Sequence, residues 1–479
     1  MKTVRTRFAP SPTGLLHVGG IRTALFAWLL AEQQNGTFIL RLEDTDQARE
    51  VDGADQHIMD CLHALGINYQ EGPDIGGSFG PYRQSQRLET YKPWAQKLID
   101  AGRAYADPYT PEEVEAFRQE ARDNKKPFLY RNHRPENPPA WDGTTPLRLK
   151  SDPKAYSWHD AVMGDLSAGP EAIDDFILIK SDGFPTYNFA HIVDDVEMEI
   201  THVIRGQEFV SSTPNYLNLY EALGVEMPIL ATMPHILGPT GSKKLSKRDG
   251  AKDVLDYIRE GILPDALVNF IASLGWNDGT EQEIFTIQEL ISKFSLDRVQ
   301  KSGARFDEQR LQWLNGAHIR AMNLDELYKA VVDFWPASAK DADDDYKKKV
   351  LGLIQERLKF FKEIPELTEF FFSEPADKDI LDLLHDPKNK QLRKFDDTLI
   401  KTILQAAEKS LAESDFTVGD IETRMNNLLV ELESKPGILF SIIRIAISGS
   451  PASPQLFDTL NLIGKDRSLS RIRQTIELV

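Results

Sequence analysis

Cysteine is almost absent: Cys61 is the only one in 479 residues. A single thiol excludes an internal disulfide framework and any metal site built from several cysteines. No apolar segment follows the basic start, and no apolar run is long enough to cross a membrane. Internal repeats and low-complexity tracts are also missing. We therefore expect a cytoplasmic protein without disulfides.

Basic residues are fewer than acidic ones: the chain has 56 Lys and Arg, 74 Asp and Glu, and a formal net charge of −18. This balance argues against non-specific binding of nucleic acid over the whole surface. Any RNA contact should instead be confined to a local basic face and should be sensitive to salt. The length favours several domains, and 41% hydrophobic with 27% charged residues is typical of a globular protein.

The first twenty residues predict a strand, a tight turn and the start of a helix. The strand covers residues 3–8, and the helix follows Gly19 and Gly20 and stops near Asn35 and Gly36. Its apolar residues recur at the spacing of one buried face: Ile21, Leu25, Trp28 and Leu29. Backbone N–H groups and the positive end of the helix dipole would then point at one spot, which favours an anion.

Two short segments carry the chemistry of a nucleotide site. His17 precedes the glycines, where an imidazole can donate to a phosphate oxygen, and the glycines allow a ligand to approach the backbone. Residues 243–248 place four cations within a loop rich in glycine and proline. Such a run is normally a solvated surface, but together with the first segment it can clamp a triphosphate from the opposite side.

Both segments resemble signatures of the class I aminoacyl-tRNA synthetases. His17-Val-Gly-Gly20 is similar to the HIGH signature, and Lys244-Leu-Ser-Lys-Arg248 is similar to the KMSKS signature. The opening Arg-Phe-Ala-Pro-Ser-Pro-Thr-Gly resembles the glutamyl and glutaminyl branch more narrowly. Residues 80–87 and 306–316 resemble further motifs of the glutamyl enzymes, so the resemblance covers nearly the whole chain.

The expected fold class is α/β. A doubly wound parallel-sheet catalytic domain, Rossmann-like as in class I synthetases, carries an inserted α+β domain and precedes an all-α C-terminal region. Residues 175–180 form a near-continuous apolar strand that we assign to the parallel sheet. The expected domains are the catalytic first half at 1–100, an acceptor-binding insertion at 101–172, the catalytic second half at 173–237, a stem-contact region with the basic loop at 238–322, and helical anticodon-binding domains at 323–479.

The resemblance implies roles for individual residues. The implied catalytic residues are His17, Lys244 and Lys247. The implied ATP-binding residues are His17, Gly19, Gly20, Lys244, Ser246, Lys247 and Arg248. The implied glutamate-binding residues are Arg7, Ala9, Ser11, Glu43, Tyr187 and Arg205. After the arginine at 205 the family usually has Gly-Glu-Asp, whereas this chain has Gly206-Gln-Glu208.

The residue types fit these roles. Glu43 follows a predicted buried strand at 37–42, and acidic groups at the ends of parallel strands face the ligand crevice. We expect Glu43, with Ser11, to hold an α-ammonium. Arginine recognises carboxylates through paired charge-assisted bonds, so Arg7 is assigned to the side-chain carboxylate, with Tyr187. Arg205 is assigned to the α-carboxylate, and the roles of the two arginines can be exchanged.

ATP and Mg²⁺ are the expected cofactors. Many members of the family hold zinc in the insertion, where this chain has Asp107, Tyr109 and His133. One His and one Asp cannot complete a four-ligand tetrahedral site, so no zinc and no other protein-held metal is predicted.

The implied activity is that of a glutamyl-tRNA synthetase. Glutamate and ATP form glutamyl-adenylate, and the glutamyl group passes to the 3′-terminal adenosine of tRNA-Glu. A monomer without membrane contact is expected. Arg357 lies near the position at which discriminating members read the anticodon, although a solvated helix face is also compatible with it.

Three alternatives stay open. The enzyme can be non-discriminating and also charge tRNA-Gln. A small-molecule adenylyltransferase shares both signatures, but the long helical tail argues against it. A non-enzymatic RNA-binding paralogue is disfavoured because His17, Glu43, Lys244 and Lys247 are all present.

Overall fold

The computed structural model describes residues 3–245, 252–389, 392, 395–451 and 453–479. The chain forms two compact units. The first comprises Met1–Arg259 and Pro264–Leu311, and the second comprises Glu260–Leu263 and Gln312–Val479. Across the described residues, no helix combines the length and apolar character needed to cross a bilayer.

Among the described residues, the strands all lie in the first unit. They are β1 (Arg5–Phe8), β2 (Thr37–Leu40), β3 (Ala104–Ala106), β4 (Leu147–Leu149), β5 (Tyr156–Asp160), β6 (Gly164–Ala168), β7 (Ile177–Ile179), β8 (His202–Gly206), β9 (Ile229–Met233), β10 (Ile236–Leu237) and β11 (Ala304–Arg305). A six-stranded sheet has the order β2-β1-β8-β9-β5-β6. Its neighbours are parallel except for the β5–β6 hairpin. The predicted α/β class with a parallel sheet is confirmed.

The first unit also contains nine α-helices among its described residues. They are α1 (Val18–Gln33), α2 (Ala54–Ala64), α3 (Leu88–Asp100), α4 (Pro111–Asp123), α5 (Tyr187–Glu197), α6 (Thr213–Leu223), α7 (Val254–Arg259), α8 (Pro264–Ser273) and α9 (Ile287–Lys293). The helix predicted after the first turn is α1, and it ends at Gln33, just before the predicted stop at Asn35 and Gly36. A Cβ at Gly36 would lie 2.2 Å from the carbonyl oxygen of Val4, so the chain can pass there only with glycine.

A second, three-stranded sheet has the order β3-β4-β7 and is antiparallel. The apolar strand predicted at 175–180 is β7, but its assignment to the parallel sheet is wrong. Leu178 and Ile179 are buried against α3 and α5 on this smaller sheet, in one core cluster with Tyr91 and Phe189. Burial explains the apolar composition equally well in either sheet, so the composition alone could not separate the two.

The second unit is helical throughout its described residues. After α10 (Glu308–Ala321), which carries the boundary between the units, the helices are α11 (Leu324–Ala330), α12 (Asp344–Ile354), α13 (Ile364–Phe372), α14 (Asp377–Leu384), α15 (Asp397–Ala412), α16 (Val418–Glu431), α17 (Pro436–Ser448), α18 (Leu456–Ile463) and α19 (Lys465–Leu478). Asn323 caps α11 by accepting from the Glu326 N–H at 2.9 Å, and Asp343 caps α12. These caps satisfy N–H groups that have no partner within the helix.

The core of the second unit includes Phe371, in one cluster with residues on the apolar faces of α15, α17 and α19. Phe371 is fully buried and its ring lies 4.3 Å from that of Phe370. Val430 belongs to the same unit but is 78% exposed.

Replacing Phe371 with Ala should therefore lower the free energy of unfolding by about 3–5 kcal/mol, because it removes buried apolar surface and leaves a cavity. Urea unfolding followed by far-UV circular dichroism, which is dominated by helix, measures this change. Val430→Ala is the matched control and should stay within about 0.5 kcal/mol of the original chain. Equal effects of the two substitutions would contradict this placement of the core.

Candidate active site

A cavity of about 410 Å³ opens where β1 and β8 end. Ten predicted site residues line it: Arg7, Ala9, Ser11, His17, Gly19, Gly20, Glu43, Tyr187, Arg205 and Lys244. The other three predicted ATP-binding residues, Ser246, Lys247 and Arg248, lie outside the described residues. The early histidine turn and the start of the late lysine loop therefore border the same space.

Main-chain hydrogen bonds beyond β1 and β2 bring the N-terminal turn and Glu43 together. The N–H of Arg41 donates to the carbonyl of Phe8 at 3.0 Å, and the N–H of Glu43 donates to the carbonyl of Pro10 at 3.0 Å. The two chains thus stay paired after the prolines end the regular strand. The carboxyl group of Glu43 is held beside the segment that contains Ser11.

His17 is the N-cap of α1. Its Nδ1 accepts from the N–H of Gly19 at 3.1 Å, so the neutral imidazole carries its proton on Nε2 and can donate there. Gly20 has a packing reason to be glycine, because a Cβ there would lie 2.6 Å from Cδ1 of Leu16. Packing against the Leu16 side chain is therefore in itself a reason for glycine at position 20.

Arg7 on β1 has its charge matched by Asp195 on α5. Its Nε and Nη2 donate to the two carboxylate oxygens at 3.0 and 3.3 Å, and Nη1 donates to the carbonyl of Ile204 at 3.3 Å. Both side chains are buried. This bidentate pair fixes the guanidinium plane at the edge of the cavity.

Arg205 on β8 is in a different situation. It is 7% exposed, its Nη2 donates to the hydroxyl of Thr213 at 3.2 Å, and its guanidinium lies 4.8 Å from the ring centre of Tyr216. Among the described residues, no carboxylate lies within ion-pair distance of it. The nearby Asp195 and Asp194 pair with Arg7 and Arg87 instead. A buried cation remains at the cavity wall.

Glu43 is bound by Arg41, whose Nη2 donates to Oε1 at 2.9 Å. Burial raises the pKa of Glu43 to about 7, although Arg41 opposes that shift. Burial likewise raises the pKa of Tyr187 well above its usual value, so the phenol keeps its proton and can donate. The Tyr187 ring stacks on Phe209 with centroids 5.5 Å apart.

A layer of buried charges beneath the cavity was missed by sequence reasoning. Asp195 accepts from Arg41 at 2.8 Å as well as from Arg7, and although burial alone would raise the pKa of Asp195, the two arginines hold it far below its usual range. The neighbouring Asp194 accepts from Arg87 at 2.7 Å and from Gln84 at 2.8 Å. The motif at 80–87 thus supports the site from below. The available signal was two adjacent acids inside the apolar pattern of α5.

His191 was also missed. It is buried, and neither ring nitrogen has a hydrogen-bond partner among the described residues. Its Nδ1 lies 3.9 Å from Asp195, and its ring is 4.9 Å from that of Tyr187. Burial lowers the pKa of His191 to about 4, so the imidazole is neutral and adds no charge near Arg205.

Glu208 lines the cavity beside Lys244. Its Oε1 lies 3.5 Å from Nζ of Lys244, and its Oε2 lies 3.9 Å from Nδ1 of His235. The pair with Lys244 is about half exposed, so water screens it and it contributes little to stability. The acidic residue that departs from the family pattern nevertheless lines the cavity.

The remaining predicted residues lie elsewhere. Within the range predicted as an insertion, Asp107 accepts from Arg148 at 2.6 Å and from the Tyr130 hydroxyl at 2.6 Å, and the His133 ring stacks on that of Phe117 with centroids 4.2 Å apart. The absence of zinc there stays a prediction. In the second unit, exposed Arg357 donates to the carbonyl of Ser453 at 2.6 Å.

Comparisons with known proteins agree with this geometry. Residues 3–313 match the family of class I tRNA synthetases (E and Q), catalytic domain, and residues 326–476 match an anticodon binding domain. A glutamate–tRNA ligase from Clostridium botulinum is 40% identical over 487 aligned residues, which cover 99% of this chain and 98% of that protein. One from Dehalococcoides mccartyi is 39% identical over 483 residues, covering 99% and 97%.

A solved structure is similar over the same extent. The crystal structure of a glutamate tRNA ligase from Elizabethkingia meningosepticum, in complex with its amino acid, superposes with a TM-score of 0.85 at 33% identity and 99% coverage of both chains. Since family, relatives and fold agree over the full length, the chain belongs to the glutamate–tRNA ligases, which are class I aminoacyl-tRNA synthetases.

Proposed function

We propose that the cavity is where L-glutamate and ATP form glutamyl-adenylate and pyrophosphate, before the glutamyl group passes to the 3′-terminal adenosine of tRNA-Glu. The observation that carries this proposal is Arg205, a buried guanidinium without a carboxylate partner among the described residues. A buried charge is costly until it is paired. A substrate carboxylate supplies the missing partner.

Glutamate offers two carboxylates and one ammonium, and the cavity offers complementary groups. Arg205 binds the α-carboxylate. Arg7 and the protonated phenol of Tyr187 bind the side-chain carboxylate, and the two arginines can exchange these roles. Glu43, with Ser11, binds the α-ammonium. Neutral glutamine would lose charge-assisted bonds of about 1.5–3 kcal/mol each, which supports selection of glutamate.

ATP occupies the side of the cavity formed by the histidine turn. The Nε2–H of His17 donates to a phosphate oxygen, while the backbone at Gly19 and Gly20 offers the positive end of α1. Lys244 adds positive charge, and we assign Lys247, Ser246 and Arg248 to the same phosphates from their sequence positions. No protein nucleophile is required, because the substrate carboxylate attacks the α-phosphorus and the protein supplies positioning and charge stabilisation.

Magnesium fits this arrangement. Mg²⁺ prefers oxygen ligands, and it usually combines one or two carboxylates with substrate phosphates. Of the carboxylates in the described lining, Glu43 is bound by Arg41, whereas Glu208 is half exposed beside Lys244. Glu208 is therefore the residue that would hold the ion. Bound there with ATP, Mg²⁺ neutralises charge on the phosphates.

The helical second unit binds the anticodon region of tRNA-Glu. Arg357 is exposed, and the described acidic residues provide it with no ion-pair partner, which suits a phosphate or base contact. Arg444 bonds the same Ser453, through its hydroxyl at 2.9 Å, so two cations lie close together in an acidic protein. We further propose a monomer that works in the cytoplasm, where aminoacyl-tRNA is consumed.

Replacing Arg205 with Ala should reduce kcat/KM for glutamate by about 10- to 150-fold for each charge-assisted bond lost. Aminoacylation at varied glutamate concentration measures this, with the KM for ATP expected to stay near that of the original enzyme. Arg205→Lys is the matched comparison, because it keeps the charge but not the planar fork, and it should retain part of the activity. A near-normal glutamate KM in Arg205→Ala would refute the assignment.

The pH dependence of glutamate use should reflect Glu43. Its pKa of about 7 lies above the ordinary carboxyl value of 4.5, so the group loses its charge as the pH falls through neutrality. Without that charge the α-ammonium loses its partner. We expect kcat/KM for glutamate to fall below pH 7, approaching tenfold per pH unit.

The control for this pH profile is the other acidic residue of the cavity lining. Glu208→Gln should keep the inflection, whereas Glu43→Gln should have low activity and no inflection near neutrality. An inflection that persists in Glu43→Gln would assign it to another group.

The reaction itself is tested by aminoacylation with purified tRNA-Glu and tRNA-Gln. We expect charging of tRNA-Glu with glutamate and little charging of tRNA-Gln. Comparable charging of both would establish the non-discriminating alternative. Failure to charge either, with tRNA-dependent adenylate formation also absent, would overturn the proposed reaction.

A further inference from the structure

Three side chains capable of binding a metal ion meet outside the glutamate and ATP cavity: His57, Cys61 and Asp253. The Nε2 of His57 lies 3.1 Å from Oδ1 of Asp253, the Sγ of Cys61 lies 3.4 Å from the same Nε2, and Sγ and Oδ1 are 4.0 Å apart. Within the part of the chain that the structure describes, this is the one group of three such residues whose ligand atoms converge.

The fold places each of the three. His57 and Cys61 are four residues apart on α2, so both project from the same face of the helix. Asp253 is fixed from the other side, because its Oδ1 accepts from the N–H of Leu255 at 3.2 Å. The backbone of Asp253 also forms an isolated antiparallel bridge with His17. The main chain thus ties Asp253 to the histidine turn, and its carboxylate meets the two side chains that α2 presents.

The spacing agrees with a tetrahedral zinc site. Zinc binds nitrogen at about 2.0–2.1 Å, sulfur at about 2.3 Å and carboxylate oxygen at about 2.0–2.2 Å, so tetrahedral ligand atoms lie about 3.3–3.6 Å apart. The three observed separations of 3.1, 3.4 and 4.0 Å differ from that range by no more than about 0.5 Å. One ion can therefore contact all three atoms after small side-chain adjustments.

We propose that His57, Cys61 and Asp253 bind one Zn²⁺ ion, with water as the fourth ligand. A thiolate and an imidazole favour zinc and similar transition metals over Mg²⁺ and Ca²⁺, which take oxygen ligands. Cys61 is fully buried, but the side chains of His57 and Asp253 are 14% and 8% exposed, so an ion reaches the site from their side.

This site differs from the zinc position considered in the insertion. Asp253 is 192 positions from Cys61, so the three ligands do not form a short sequence motif. An ion there would join α2 to the segment that pairs with the backbone of His17, and it would raise the stability of the folded chain in proportion to its binding. The proposal does not depend on the assignments made for glutamate or ATP.

Titration of the full chain with Co²⁺, after removal of metals with a chelator, tests the site. We expect binding of one equivalent, with the visible bands of tetrahedral cobalt and a near-ultraviolet thiolate-to-cobalt charge-transfer band, all lost on adding Zn²⁺. Because Cys61 is the sole thiol of the chain, any such charge-transfer band belongs to it. Zn²⁺ should also raise the Tm of the metal-free protein.

Variants separate this site from adventitious binding. Cys61→Ser should remove the charge-transfer band, and His57→Asn and Asp253→Asn should each weaken Co²⁺ binding at least tenfold, since even groups that only orient metal ligands contribute that much. His63→Asn is the matched control: it is an exposed histidine on the same helix and should leave binding unchanged.

Two results would overturn the proposal. One is that metals are removed, the native circular dichroism is retained, and a large excess of Co²⁺ then produces no charge-transfer band. The other is an unchanged affinity for Zn²⁺ in His57→Asn, a variant that keeps the buried thiol and so does not disturb the packing around Cys61.

Discussion

The cavity proposed to bind substrate depends on the buried ion pairing between Asp195 and two arginines, Arg7 and Arg41. These groups come from α5, from β1 and from the residue that follows β2, and they meet at hydrogen-bond distances of 2.8–3.3 Å. Removing one member of such a buried pair typically costs about 3–5 kcal/mol, because the other charge is left uncompensated. The same contacts that complete the core therefore fix the position of the Arg7 guanidinium, which we propose binds substrate, and, through Arg41, of Glu43.

In the proposed site, selectivity for an acidic amino acid follows from an imbalance of charge at the cavity wall. The carboxylates beneath the cavity are matched by Arg7, Arg41 and Arg87, and His191 is kept neutral by burial. The positive charge of Arg205 is not matched by the described residues, so it remains for a ligand. A site built to pair a charge rejects a neutral isostere because its buried group would then stay unpaired.

Sequence reasoning succeeded where the signal is local and failed where it depends on distant pairing. The strand, turn and helix around His17 follow from prolines, glycines and periodicity within a short stretch. The same kind of local signal is present at α4, where Thr110 and Glu113 form a capping box. In contrast, tertiary packing decides which sheet β7 joins. It also decides which residue pairs with Arg7, since Asp195 lies 188 positions away. Local composition carries no signal for either contact.

The strand order β2-β1-β8 has a consequence for how the chain acquires its shape during synthesis. The first strand leaves the ribosome early, yet its neighbour β8 and the aspartate that neutralises its arginine come from the region around residues 195–206. Until that region emerges, the nascent N-terminal part exposes an unpaired strand edge and uncompensated cations. Such transient species are prone to association, so the order of the strands leaves the early chain exposed to aggregation until β8 has been made.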